Sequence, residues 1–141
     1  MSGSNEYRID HLGIAVRSIE EALRFYRDQL GMASGTQETV EAEQVNVVMI
    51  PAGASRIELL EPTEPDSVIG RFLAKRGPGL HHVALRVPDL GAAVERLRAA
   101  GAKLLNEPRS GAGGHRYVFV HPAATGGVLL ELIQDEEERA R

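Results

Sequence analysis

The sequence contains no cysteine and no tryptophan, and only 4% of its residues are aromatic. Without cysteine the chain can use neither disulfides nor thiolate chemistry. Positive charge is not in excess, because 16 Lys and Arg residues stand against 20 Asp and Glu residues and the net charge is −4. Neither nucleic acid nor an anionic membrane surface is therefore expected as a partner. No apolar run approaches the length of about 18 residues that a membrane span requires.

The amino-acid composition is that of an ordinary globular protein, because 43% of the 141 residues are hydrophobic. A chain of this length can bury roughly 70% of its unfolded surface, which is enough for a real core. We expect a single domain over residues 1–141, with a first module at about 8–76 and a second at about 79–134. Met1–Asn5 lacks the basic and apolar pattern of a signal peptide, so a cytoplasmic protein is expected.

The two modules carry matching stretches of sequence. Ile9–Val16 and Leu80–Val87 each alternate as a β-strand and carry a histidine near the start. A later apolar strand with a carboxylate follows in each module, Arg56–Leu60 in the first and Val128–Ile133 in the second. The spacing nearly repeats, since Glu58 follows His11 by 47 residues and Glu131 follows His82 by 49. The same His-then-Glu half-site therefore occurs twice.

The pattern between these strands predicts the order β-α-β-β-β in each module, and hence an α+β fold. Ser18 and Glu21 fit a capping box, and Asp89 fits the cap of the second helix. The apolar stripes predicted to face the core are Ile19, Ala22, Leu23, Tyr26 and Leu30 in the first helix, and Leu90, Ala93, Val94, Leu97 and Ala100 in the second. Residues 32–44 fit a strand or a loop, Lys103–Leu105 a short strand, Gly111–Gly114 a hairpin loop, and residues from Gln134 onward a solvated tail.

The paired histidines and carboxylates predict a metal site. A carboxylate in an apolar strand is costly to bury unless a cation or hydrogen bonds compensate it. Two imidazoles and two carboxylates suit a divalent ion such as Co²⁺, Mn²⁺, Zn²⁺, Ni²⁺ or Fe²⁺. Any one of these residues alone would more often be structural, and the recurrence at matching offsets is what favours ligation. We expect His11, Glu58, His82 and Glu131 to converge and to leave coordination positions open for substrate or water.

The remaining histidines and the glycine run are expected to be structural. His81 is interpreted as a packing neighbour of His82, and His115 and His121 as surface or turn residues. Gly111–Gly114 lacks the strand-to-helix context and the Lys-Ser/Thr of a phosphate-binding loop. A hairpin is expected there, with a flexible loop over the site as the alternative. Arg86 shares the predicted site face and could meet a negative group or form a surface salt bridge.

Several of these stretches together resemble the methylmalonyl-CoA epimerase family of the vicinal oxygen chelate superfamily, whose other members include glyoxalases, bleomycin resistance proteins and dioxygenases. The resemblance runs nearly from end to end and is carried by Ile9–Val16, Arg56–Pro62, Gly79–Ala84 and His121–Leu132. The His-His strand, the Glu-Leu-Leu-Glu-Pro stretch and the Gly-Gly-Val-Leu-Leu-Glu-Leu strand are its most specific parts.

The resemblance implies an isomerase that interconverts (2R)- and (2S)-methylmalonyl-CoA in propionate metabolism. The reaction is a proton abstraction and return at C2 through a metal-stabilised enolate. By position the resemblance implies His11, Glu58, His82 and Glu131 as ligands of a divalent metal ion. Co²⁺ is the expected ion, with Mn²⁺, Ni²⁺, Zn²⁺ or Mg²⁺ as alternatives. The expected partner is a small acyl-CoA substrate, in a homodimer.

Glu131 is predicted to act as an acid/base group as well as a ligand. Some epimerases carry a second catalytic Glu in the strand that matches Val45–Ile50, and this stretch of the sequence has no acid. Glu43, just upstream, is the candidate for that second role. Some family members have Gln at the position of Glu58, a change that affects charge more than geometry.

Other functions of the same fold remain open at this stage. A glyoxalase I-like isomerase (lactoylglutathione lyase) would use a similar set of ligands and a proton transfer beside a carbonyl. A ring-cleaving dioxygenase uses two histidines and one glutamate, so the fourth ligand argues against it. A non-catalytic small-molecule binding protein is a further alternative, which the retention of all four ligands disfavours. Fold alone does not decide among these functions.

Overall fold

A computed structural model describes residues 6–111 and 114–135 of the chain. The strands are β1 (Arg8–Ala15), β2 (Glu38–Val40), β3 (Val45–Ala52), β4 (Ser55–Pro62), β5 (Gly79–Arg86), β6 (Arg109–Gly111), β7 (His115–Val120) and β8 (Leu130–Asp135). The α-helices are α1 (Ile19–Leu23), α2 (Val68–Arg76) and α3 (Leu90–Ala99). The predicted α+β class and the repeated β-α-β-β-β order are confirmed. No helix in this described part of the chain combines the length and the apolar character that crossing a membrane requires.

The contacts divide the chain into two compact units, one of residues 11–81 and one of residues 82 onward together with those before 11. In the first unit the strands follow the order β2-β3-β4-β1, and β1 runs parallel to β4. In the second unit the order is β5-β8-β7-β6, and β5 runs parallel to β8. The remaining pairs within each unit are antiparallel, so the two units share one topology.

The first helix is shorter than its apolar stripe predicts. Its predicted cap is confirmed, because the Ser18 hydroxyl accepts a hydrogen bond from the Glu21 amide at 3.1 Å. The α-helical part ends at Leu23, and Arg24–Gln29 form a wider π-helical turn. This turn moves Leu30 off the stripe, so the prediction that Leu30 is a core residue was wrong and its side chain is 57% exposed. Met32 packs against the core of this unit instead.

Both faces of the sheet in the unit of residues 11–81 are covered. Ile19 and Leu23 of α1 pack with strand residues on one face. Ile69 and Leu73 of α2 pack with Leu60 on the other face, which also carries Glu58 because strand residues alternate. Helix α2 therefore closes part of the face on which the first half-site lies.

The predicted solvated tail begins later than expected. Strand β8 runs to Asp135, and Gln134 is buried. The Gln134 side chain accepts a hydrogen bond from the Leu90 amide at 2.7 Å and donates one to the Pro88 carbonyl at 3.0 Å. The prediction that Gln134 starts a tail was therefore wrong, because its amide satisfies backbone groups at the start of α3. Glu61 has the equivalent role in the other unit, where its carboxylate accepts from the Ile19 amide at 3.1 Å.

The segment before β7 also differs from its prediction. Lys103–Leu105 is not a strand, since only Leu104 forms an isolated bridge, with Val120. The strand of this segment is β6, which pairs with β7 on either side of the glycine-rich stretch. The predicted hairpin loop itself includes residues 112 and 113, which lie outside the described residues.

Candidate active site

The first half-site lies on the parallel pair of strands β1 and β4. Gly13 stands opposite Glu58 in the register, and His11 lies two residues before Gly13 on the same face. Because glycine has no side chain, the imidazole and the carboxylate can approach each other above it. His11 Nε2 lies 3.4 Å from Glu58 Oε1.

The second half-site repeats this arrangement on β5 and β8. Ala84 stands opposite Glu131, and His82 lies two residues before Ala84 on the same face. His82 Nε2 lies 3.6 Å from Glu131 Oε1. The small residue two positions after each histidine therefore leaves room for the His–Glu contact in both units, and each predicted His–Glu pair is brought together.

Within each unit, the donor atoms of the His–Glu pair fit two neighbouring ligands of a divalent metal ion. The side chains are largely buried, with exposed fractions of 14% for Glu58 and 11% for Glu131. The separations of 3.4 and 3.6 Å exceed the roughly 2.7–3.2 Å of an N–H···O hydrogen bond. Two donors that are each about 2.0–2.2 Å from one ion lie roughly 3.0–3.5 Å apart in octahedral or tetrahedral geometry. Each pair thus has the chemistry, and close to the spacing, of two neighbouring metal ligands.

Glu43 occupies a different kind of position. It ends the single 3₁₀ turn Glu41–Glu43 immediately before β3, and its side chain is exposed. Gln44 follows with a left-handed backbone, at φ 55°, which redirects the chain into the strand. Glu43 belongs to the same unit as His11 and Glu58. Its role as an acid/base group stays a prediction.

Phe119 lies beside the second half-site and was not singled out from the sequence. It is the cross-strand partner of Glu131, and its ring meets the His82 ring edge-on at a centroid distance of 6.0 Å. His115, Tyr117 and Phe119 alternate along β7 and therefore share a face. That alternation is a visible signal in the sequence, but it identifies the face only once the register with β8 is known.

An ion pair joins Asp10, the residue before His11, to Arg86 of β5. Arg86 donates from Nε at 3.2 Å and from Nη2 at 2.9 Å to Asp10 Oδ1, and both side chains are largely buried. Arg86 therefore forms a salt bridge as the alternative predicted, but the pair is buried and does not lie on the surface. Asp10 immediately precedes His11, so this pair fixes the strand at the residue before that histidine.

The other histidines have the structural roles predicted for them. His81 packs edge-on against Phe72 of α2 at a centroid distance of 5.0 Å. His121 Nδ1 accepts a hydrogen bond from the Ala123 amide at 2.9 Å and so caps a short turn. His115 contacts the ring of Tyr117 at 6.2 Å.

A groove of about 740 Å³ lies in the unit that contains the second half-site, but it is not part of that site. Leu85, Leu130 and Leu132 line it together with residues of α3. These leucines alternate with Ala84 and Glu131, so the groove opens on the opposite face of the sheet.

Comparison with known proteins places this fold and site in context. Residues 10–119 match the model of the Glyoxalase/Bleomycin resistance protein/Dioxygenase superfamily. The uncharacterised protein YqjC of Bacillus subtilis is 42% identical, over 94% of this chain and 95% of its own. Ethylmalonyl-CoA/methylmalonyl-CoA epimerase of Cereibacter sphaeroides is 39% identical, over 90% of this chain and 97% of its own. The fold also matches a solved structure of a methylmalonyl-CoA epimerase variant of Streptomyces coelicolor, in complex with 2-nitronate-propionyl-CoA. The match has a TM-score of 0.83 and 39% sequence identity, and it covers 92% of this chain and 94% of that one.

The family model covers most of the chain, and the chain therefore belongs to the Glyoxalase/Bleomycin resistance protein/Dioxygenase superfamily. Within that superfamily it groups with the methylmalonyl-CoA epimerases, which confirms the resemblance carried by its strands.

Proposed function

We propose that this chain interconverts (2R)- and (2S)-methylmalonyl-CoA. The observation that carries the proposal is the repeated His–Glu pair, which has the same strand register in both units. The names of the epimerase relatives support it, as does the acyl-CoA analogue bound in one of their structures. The proposed substrate is accordingly a small acyl-CoA.

We propose His11, Glu58, His82 and Glu131 as the ligands of one divalent metal ion, with Co²⁺ the first choice. When bound, such an ion supplies positive charge that stabilises the negative charge developing on the thioester and carboxylate oxygens of the substrate. Burial of the carboxylates supports this assignment, because a cation compensates a cost that would otherwise destabilise the fold.

The chain's own groups move the proton. The C2–H bond lies between a thioester carbonyl and a carboxylate, so its hydrogen is already acidified. One carboxylate takes the proton from one face, the C–H electron pair delocalises into the thioester, and a second group returns a proton to the opposite face. We propose Glu131 for one of these roles and Glu43 for the other.

Exchange of the C2 hydrogen in D₂O, followed by NMR, tests the proposal. Co²⁺-loaded protein is expected to exchange the C2–H of methylmalonyl-CoA much faster than a control without protein, and chelator treatment is expected to abolish that exchange. Glu131→Gln removes a proton-transferring carboxylate and should reduce the rate by roughly 100-fold or more. Glu95→Gln, which changes an exposed carboxylate of α3, is the matched control and should leave the rate unchanged.

A negative result would be equally informative. Exchange no faster than the protein-free control, in protein shown to hold metal, would overturn the epimerase proposal. Turnover of the hemithioacetal of methylglyoxal and glutathione by the same preparation would then indicate the glyoxalase I-like alternative.

The homodimer and the cytoplasmic location stay predictions. The mass of the particle in solution, compared with 15.3 kDa for one chain, tests whether the protein is a dimer.

A further inference from the structure

We propose that Phe119 sets the size of the C2 substituent that the site accepts, so that the methyl group of the substrate packs against its ring. This inference rests on the proposed function and adds a specificity-determining residue to it. It concerns a side chain that is neither a predicted metal ligand nor a predicted acid/base group.

The position of Phe119 relative to the second half-site carries the inference. Its backbone is the direct cross-strand partner of Glu131 on β8. Side chains of cross-strand partners stand on the same face, about 4.5–5.5 Å apart at Cβ. Its ring also meets the His82 ring edge-on, at 6.0 Å and an angle of 87°. A substrate carbon that exchanges its proton with Glu131 therefore has the Phe119 ring as an apolar neighbour.

The Phe119 ring also contacts a second aromatic side chain. Tyr117, two residues earlier on β7, meets Phe119 edge-on at a centroid distance of 5.9 Å. His115 continues the row at 6.2 Å from Tyr117. Phe119 is thus held between two other rings, and such a packed ring has little freedom to turn away from a larger ligand.

The backbone of Phe119 is fixed independently of β8. Its amide donates to Asn106 Oδ1 at 2.8 Å, and its carbonyl accepts from the Leu105 amide at 2.8 Å. Both backbone groups of Phe119 therefore bond to the segment on the edge of β7 away from β8, and displacement of the wall would have to break these bonds. A fixed wall discriminates between substituents by steric contact, whereas a mobile wall would adapt to them.

One relative of this chain is named for two substrates that differ in the size of the C2 substituent. The Cereibacter sphaeroides protein carries both ethylmalonyl-CoA and methylmalonyl-CoA in its name. One methylene in an apolar pocket changes relative specificity by roughly 10- to 200-fold. A single wall residue such as Phe119 is therefore sufficient to separate the two substrates.

The test compares methylmalonyl-CoA with ethylmalonyl-CoA in the D₂O exchange assay, using wild type, Phe119→Ala, Phe119→Leu and Phe25→Ala. Wild type is expected to favour the methyl substrate in kcat/KM. Phe119→Ala should shift the ethyl-to-methyl ratio by about 10-fold or more toward ethyl, with a smaller shift for Phe119→Leu. Phe25→Ala removes a half-exposed ring from the π-helical turn and should leave the ratio within about twofold.

Where a variant loses activity, a binding measurement still tests whether Phe119 selects for substituent size. Propionyl-CoA and butyryl-CoA present the same two substituents at C2 without the carboxylate, and calorimetry gives their Kd ratio for folded protein. The ratio should shift toward butyryl-CoA in the Phe119 variants. An unchanged ratio in both assays would overturn this inference and leave the epimerase proposal standing. Absence of exchange with either substrate in metal-loaded wild type would instead overturn the epimerase proposal, and this inference with it.

Discussion

Two glutamates with proposed roles in proton transfer are held in very different ways. Glu131 is buried within β8, where strand partners on both sides and a small opposite residue define its direction. Glu43 is exposed in a one-turn 3₁₀ helix. Packing restricts the rotamers of a buried carboxylate such as Glu131, whereas packing restricts an exposed side chain on a short turn much less.

Glu43→Gln tests the second role against a close neighbour. If Glu43 transfers the proton on one face, its amide variant should epimerise methylmalonyl-CoA roughly 100-fold more slowly while still binding Co²⁺. Glu41→Gln changes the other acid of the same turn and should retain activity within about twofold. The measurement is the rate of loss of the 2R form, followed by optical rotation. Equal rates for the two variants would remove Glu43 from the mechanism.

The sequence predicted the residues of each half-site but not their neighbours. His11, Glu58, His82 and Glu131 could be found because the two modules repeat the same spacing, which a single sequence reveals. Phe119 could not, because its proximity to Glu131 depends on the register between β7 and β8. That register depends on the connection between the two strands and on which of their faces is buried, and the residues of β7 alone show neither.

At the scale of the elements, two glycines occupy similar helical positions, yet a side chain added at each would have opposite effects on the free energy of unfolding. Gly70 lies in the first turn of α2, and a Cβ added there would meet the Pro65 carbonyl oxygen at 2.5 Å. Gly91 lies in the first turn of α3, and a Cβ there would meet only the Asp89 side chain, at 3.6 Å. The first contact is with backbone and cannot be relieved by a rotamer change, while the second is an ordinary van der Waals contact.

Alanine substitution should therefore change stability in opposite directions at these two positions. Gly91→Ala is expected to raise the free energy of unfolding by up to about 1 kcal/mol, through the higher helix propensity of alanine. Gly70→Ala gains the same propensity but forces the helix away from the preceding segment, and should lower it by about 1–3 kcal/mol. Urea unfolding monitored by circular dichroism gives both values. A stabilised Gly70→Ala protein would show that the preceding segment can shift freely.

Elements with strong local signals were predicted well, and elements that depend on distant partners were not. The caps of α1 and α3 and their first buried residues followed from Ser18, Asp89 and the apolar spacing. The π-helical turn was missed because its wider hydrogen bonding has no distinctive composition, which left Leu30 on the wrong side. Gln134 was missed because it looks like the start of a polar tail until its partners at Pro88 and Leu90 are known.

At the scale of the whole molecule, the proposed function requires that the two half-sites share one metal ion. Calorimetric titration with Co²⁺ should then give one ion per chain, and His11→Ala and His82→Ala should each abolish tight binding. His121→Ala, which removes a turn-capping histidine, should bind with wild-type stoichiometry. Saturating Co²⁺ should also raise the melting temperature of wild type, by the linkage of ligand binding to folding, and a chelator should reverse the change. Two ions per chain, with one retained in each single variant, would show that the pairs act separately.

The parallel pairing of β1 with β4, and of β5 with β8, affects the chain while it is being synthesised. Each glutamate follows its histidine by 47 or 49 residues, so at roughly 5–20 residues per second the ribosome adds it about 2–10 seconds later. During that interval the histidine has neither its carboxylate partner nor the strand that positions it, and a single imidazole offers none of the geometry by which a site selects its metal. On the proposed function, the four donors are complete only after Glu131 has been added, so the proposed ion would be selected late in synthesis or after it.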